Sequence, residues 1–140
     1  MPNMLRREKM ETNALYTLAR ENGVTVDFFP LPLCKSACVN VDGRDFVALD
    51  STVRGSEERV YLAHELGHCL SAAFYNLHSP LSSRDKAENK AKAWAIKTLV
   101  PITDLKKAMA SGVCDTENLA DHFGVTEALM EQALSYYSNK

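Results

Sequence analysis

No stretch of this sequence approaches the roughly 20 consecutive apolar residues that a membrane-spanning helix needs. The region around Arg6, Arg7, Glu8, Lys9 and Glu11 also lacks the apolar run of a secretory signal peptide. Charge is not in excess either way: 16 basic residues stand against 18 acidic ones, which excludes the broad positive field of a general nucleic-acid or membrane-surface binder. Cysteine is irregularly placed. Cys34, Cys38, Cys69 and Cys114 make no disulfide framework, so reduced thiols and a cytoplasmic setting are expected. A zinc knuckle at Cys34 and Cys38 has no matching second pair. Internal repeats and low-complexity segments are absent. At 140 residues the chain is expected to form one domain, 1–140, with a real core and no room for a second.

What the sequence does contain is Tyr61-Leu62-Ala63-His64-Glu65-Leu66-Gly67-His68-Cys69-Leu70, with H-E-x-x-H from His64 to His68. At about 100° per residue, His64 and His68 fall one turn apart on one helix face, where both imidazoles can reach a single ion. Zinc suits such a pair plus an oxygen ligand, and a catalytic site keeps a position open for water. Glu65 then lies beside the metal without ligating it, placed to take a proton from water and pass it to a leaving amine. Leu62, Leu66, Cys69, Leu70 and Ala73 form an apolar stripe next to that face, so the motif belongs to a helix with a buried side.

The rest of the chain reads as α+β, a small antiparallel sheet packed on a mainly helical domain. Residues 4–21 place Leu5, Ala14, Leu15, Leu18 and Ala19 among charges and stop at Gly23, which predicts an amphipathic helix. Residues 24–29, 37–41 and 46–49 are short β-rich runs, and Asp42-Gly43 marks a hairpin between the last two. An exposed edge of such a sheet can hold an extended peptide over a metal. Ser56 is expected to cap a motif helix over 57–76, and Gly67 within it predicts a close neighbour, a strand of the sheet. Helices are expected over 85–99, 103–110 and 116–123, and Thr126 is expected to cap a last one to about residue 137.

Three segments resemble the ImmA/IrrE family of small zinc metallopeptidase-like proteins. They are Leu62-Ala63-His64-Glu65-Leu66-Gly67-His68, Glu88-x-x-Ala91-x-x-Trp94-Ala95-x-x-x-Leu99-Val100-Pro101, and Leu119-Ala120-x-x-Phe123-Gly124-Val125-Thr126. The chain departs from the pattern at Lys92, Trp94, Thr98 and Val100. Lys92, one turn from Glu88 on the same helix, brings a cation able to pair with it. The resemblance implies the short form carried by phages and integrative elements. Members of that form act in the cytoplasm on a helix-turn-helix repressor, which they cleave or inactivate.

The third zinc ligand is expected to be Glu88, giving a gluzincin-like set. Ser71 and Phe74 stand where a metzincin would continue with Gly and His. Of His78, Asp85 and Glu88, Asp85 is explained by a helix N-terminus. Glu88 shares its face with Ala91 and Ala95, small residues that let two helices approach. His78, Tyr61 and Tyr75 are the candidate donors to the oxyanion of the transition state. Two other functions compete with peptidase activity. One is a catalytically silent metal-binding partner protein. The other is a helix-turn-helix DNA-binding protein built on residues 119–134, where Glu127 and Glu131 without any Lys or Arg would repel phosphates.

Overall fold

The computed structural model describes residues 2–71 and 81–139, with side chains over 12–71 and 83–139. The amphipathic N-terminal segment forms α1 (Pro2–Glu21), which buries Leu15 and Ala19 and leaves Ala14 exposed. Three strands follow, β1 (Thr25–Phe29), β2 (Ser36–Val41) and β3 (Arg44–Asp50). Asp42 and Gly43 both adopt positive φ, 53° and 81°, so the β2–β3 hairpin turns through the two residues whose chemistry tolerates that conformation.

The sheet is mixed, which corrects the antiparallel expectation. β3 is central in the order β1-β3-β2, antiparallel to β2 and parallel to β1. The reason is topological: the chain reverses between β1 and β2 and again at the hairpin, and two reversals restore the original direction. β1 then pairs with the far edge of β3 instead of with β2. Hydrogen bonding of Val26 beside Val47, and of Phe28 beside Leu49, sets that register.

The motif helix is α2 (Ser56–Leu70). Gly55, at φ 65°, occupies its cap position, and Ser56 is the first helical residue with no side-chain cap, contrary to expectation. The expected extension to residue 76 falls largely outside the described residues. α3 (Leu81–Leu99) begins four residues earlier than the apolar pattern suggests, which places Asp85 inside the helix instead of at its start. α4 (Ile102–Ala110), α5 (Thr116–Phe123) and α6 (Glu127–Ser138) complete the chain. The Thr126 hydroxyl accepts from the Leu129 amide and starts α6 as its sequence foretells. The core joins Val47 and Leu49 of β3 to Leu62 and Leu66 of α2, Leu99 of α3, Leu119 of α5 and Met130 of α6, all at most 1% exposed. Tyr16 donates to Glu58 and Tyr137 to the Val100 carbonyl, which pins α1 to α2 and α6 to the end of α3.

The neighbour at Gly67 is α3, not a strand. A Cβ at Gly67 would lie 2.7 Å from the Ala91 carbonyl oxygen and 3.0 Å from its Cα. The obstacle is backbone and cannot rotate aside, so α2 and α3 cross in contact at Gly67 and Ala91. Gly67→Ala is expected to cost about 2 kcal/mol or more despite the better helix propensity of alanine. Urea unfolding at equal m-value measures it, and a stabilised variant would show that the two helices do not meet as described.

Candidate metal centre

That close crossing is what assembles the site. Glu88 lies about two turns into α3, one turn before Ala91, and is thereby held opposite the histidine face of α2. One carboxylate oxygen of Glu88 lies 3.1 Å from Nε2 of His64, and the other 3.0 Å from Nε2 of His68. The two imidazoles stand edge to face with centroids 5.1 Å apart. One ligand atom from each of His64, His68 and Glu88 lies within 4.8 Å of the other two. Two imidazole nitrogens and a carboxylate oxygen converging in this way are a donor set suited to zinc, so the side chains fit a metal of that kind. Within the cluster His68 is buried, only 5% exposed, while His64 and Glu88 remain partly open to solvent.

Asp85 is exposed and has no place in the cluster. His78 and Tyr75 lie outside the described residues. Tyr61 is present in the cleft next to His64 and Glu65. Lys92 does not pair with Glu88, whose two oxygens face the histidines; it lines the neighbouring cleft.

Glu65 is 6% exposed and points to the sheet side of the cluster. In the β2–β3 pairing, Ser36 stands opposite Leu49 and Cys38 opposite Val47. Paired residues project from the same face of a sheet. Because Leu49 and Val47 are core residues, Ser36 and Cys38 also face α2. The Ser36 hydroxyl donates to Oε2 of Glu65 at 2.5 Å. Hydrogen bonding with Cys69, burial and the nearby Glu65 carboxylate push the Cys38 thiol well above its ordinary pKa, so it stays protonated. All four cysteines are free. Nothing in the local sequence around Ser36 marks it, and it was invisible to motif reasoning because its partner lies 29 residues away.

Two cavities meet over these groups. One of about 380 Å³ is lined by Ser36, Cys38, His64, Glu65, His68 and Glu88. The other, about 460 Å³, shares Ser36, His64 and Glu65 and runs out between Tyr61, Lys92 and the start of α6 at Thr126 and Leu129. A ligand longer than the cluster therefore has room on both sides of Glu65. Among the described residues β2 is an edge strand, paired on one side only, and its first residues line this groove.

No helix among the described residues is long and apolar enough to cross a membrane. No curated protein matches the sequence. The peptidase family M78, described as the IrrE N-terminal-like domain, matches residues 18–135, a span that holds the histidine pair, Glu88 and the three-strand sheet. With that match over most of its length, the chain belongs to the ImmA/IrrE family of metallopeptidases.

Proposed function

We propose that this protein is a zinc-dependent endopeptidase of the cytoplasm, acting as one domain on a specific protein partner. The partner we propose is a helix-turn-helix repressor of a phage or integrative element. The observation that carries the catalytic reading is the convergence of His64, His68 and Glu88 beside a buried carboxylate that is not part of the ligand set. Zinc bound by those three would supply Lewis acidity toward a peptide carbonyl and toward water. Glu65 takes a proton from the attacking water as its oxygen bonds to the carbonyl carbon. Glu65 then gives that proton to the amide nitrogen as the C–N bond breaks. Of the candidate oxyanion donors His78, Tyr61 and Tyr75, Tyr61 lies among the described residues and lines the cleft with His64, and it is assigned that role. The unpaired edge of β2 can take an extended segment by backbone hydrogen bonds and present its scissile bond to Glu65.

The start of α6 is better explained as a wall of the groove than as part of a reader of DNA. Thr126 and Leu129 line the cleft, Leu129, Met130 and Ala133 are buried, and the exposed Glu127 and Glu131 oppose phosphate binding. Selectivity is expected because a protease of this size free in a cell must spare other chains. Co-expression with its cognate helix-turn-helix repressor, to be sought in the adjoining reading frames, is expected to yield zinc-dependent cleavage of that protein, with casein left nearly intact. Efficient zinc-dependent digestion of casein would contradict the proposed selectivity.

A further inference from the structure

Glu65 poses a physical problem that the motif does not solve. A glutamate has three rotatable bonds, and a carboxylate almost wholly removed from water needs hydrogen-bond donors to remain there. The helix that carries Glu65 uses its own amides internally, so the donors must come from elsewhere. They come from the first residues of β2, where the Ser36 hydroxyl reaches Oε2 at 2.5 Å, the separation of a charge-assisted O–H···O⁻ bond. We propose that Ser36 is the positioning residue of the general base, a hydroxyl on the edge strand that fixes the rotamer of Glu65 in the cavity it shares with the metal cluster. This inference rests on the peptidase reading above for its catalytic consequence, but not for the contact itself.

The backbone around Ser36 is built to hold that hydroxyl still. The Asp50 amide donates to the Lys35 carbonyl at 2.8 Å, immediately before Ser36. The Asp50 carboxylate accepts from the Leu31 amide at 2.8 Å, and from both the amide and the hydroxyl of Thr52. Those bonds, led by the Thr52 hydroxyl and the Leu31 amide, hold the Asp50 carboxyl down at about 2, so it is charged throughout the neutral range. Asp50 thus ties the loop entering β2 to the end of β3, and Ser36 approaches Glu65 from a strand whose start cannot drift. A side chain carried on a rigid element and fixed by such a frame is the arrangement that keeps a catalytic group within a fraction of an ångström of its productive position. Ser36 touches no metal ligand in the bonds described, so its effect on Glu65 is separable from metal binding.

Three measurements on Ser36→Ala and Ser36→Thr test this. With the protein that the wild type cleaves on co-expression, purified, as substrate, Ser36→Ala is expected to lower kcat roughly 10- to 100-fold with KM nearly unchanged. Ser36→Thr, which keeps the hydroxyl, is expected to restore most of kcat. Calorimetric zinc affinity should match the wild type in both variants, while Tm should fall by a few degrees in Ser36→Ala alone, because the buried Glu65 carboxylate loses a donor. Unchanged kcat in Ser36→Ala would overturn the proposal. So would a loss that Ser36→Thr fails to rescue, or one accompanied by equal loss of zinc or of fold. The third measurement does not depend on cleavage: NMR couplings of the Glu65 side chain in the protein without substrate. A single rotamer in the wild type and Ser36→Thr, averaged in Ser36→Ala, supports the proposal, and the same rotamer in all three overturns it. If the wild type shows no zinc-dependent cleavage, the peptidase reading falls, and the rotamer comparison alone decides the role of Ser36.

Discussion

Glu65→Gln is expected to retain one zinc per chain at wild-type affinity while cleavage falls by roughly 10²- to 10⁴-fold, the range that general acid–base catalysis contributes. The separation follows from the site: His64, His68 and Glu88 converge without Glu65, which is turned instead to Ser36. Glutamine has the same shape, and its carbonyl oxygen can still accept from the Ser36 hydroxyl, so the groove keeps its form. What glutamine cannot do is take up a proton. Neutralising a buried carboxylate also removes a desolvation penalty, so the variant should be at least as stable as the wild type. Metal analysis beside a cleavage assay checks both halves. Stoichiometric loss of zinc in Glu65→Gln would reverse the assignment of ligand and base.

Glu88→Ala has the opposite signature. It removes a side chain whose two oxygens meet both imidazoles, so zinc affinity is expected to fall by more than the roughly 100-fold that loss of a mere supporting residue causes. The consequence is visible in stability. With free zinc at 100 times the wild-type Kd, binding stabilises the wild type by about 2.7 kcal/mol, and a 100-fold weaker site retains only about 0.4 kcal/mol. The zinc-induced rise in Tm should therefore nearly vanish in Glu88→Ala. Asp85→Ala, at an exposed position one turn earlier on α3, should keep both the affinity and the rise. Full-strength binding by Glu88→Ala would remove Glu88 from the ligand set.

What was legible in the sequence was what depends on spacing along one element. His64 and His68 share a face because an α-helix repeats every 3.6 residues, and the Thr126 cap and the Asp42-Gly43 turn are local chemistry of the same kind. The approach of Glu88 to the histidine pair was within reach because Ala91 and Ala95 announce a close helix crossing, and α2 and α3 do meet at Gly67 and Ala91. Partner choice across the fold was not legible. Nothing in residues 25–29 says that they run parallel to β3 instead of antiparallel to β2, since that depends on where a six-residue connection leads. For the same reason Gly67 was matched to a strand when its neighbour is α3. Ser36 is the sharpest case, an ordinary residue at the start of a strand whose meaning appears only when the β2–β3 register turns it to face Glu65.

The measurement that bears most directly on the site is X-ray absorption at the zinc edge of the purified protein. The account predicts one zinc per chain in a shell of nitrogen and oxygen at about 2.0–2.1 Å, with imidazole scattering from two histidines. That shell should lose its nitrogens in a protein lacking His64 and His68. Cys38 lines the same cavity, and Cys69 follows His68 in α2. A sulfur at about 2.3 Å in the first shell, or the same spectrum after both histidines are removed, would contradict it.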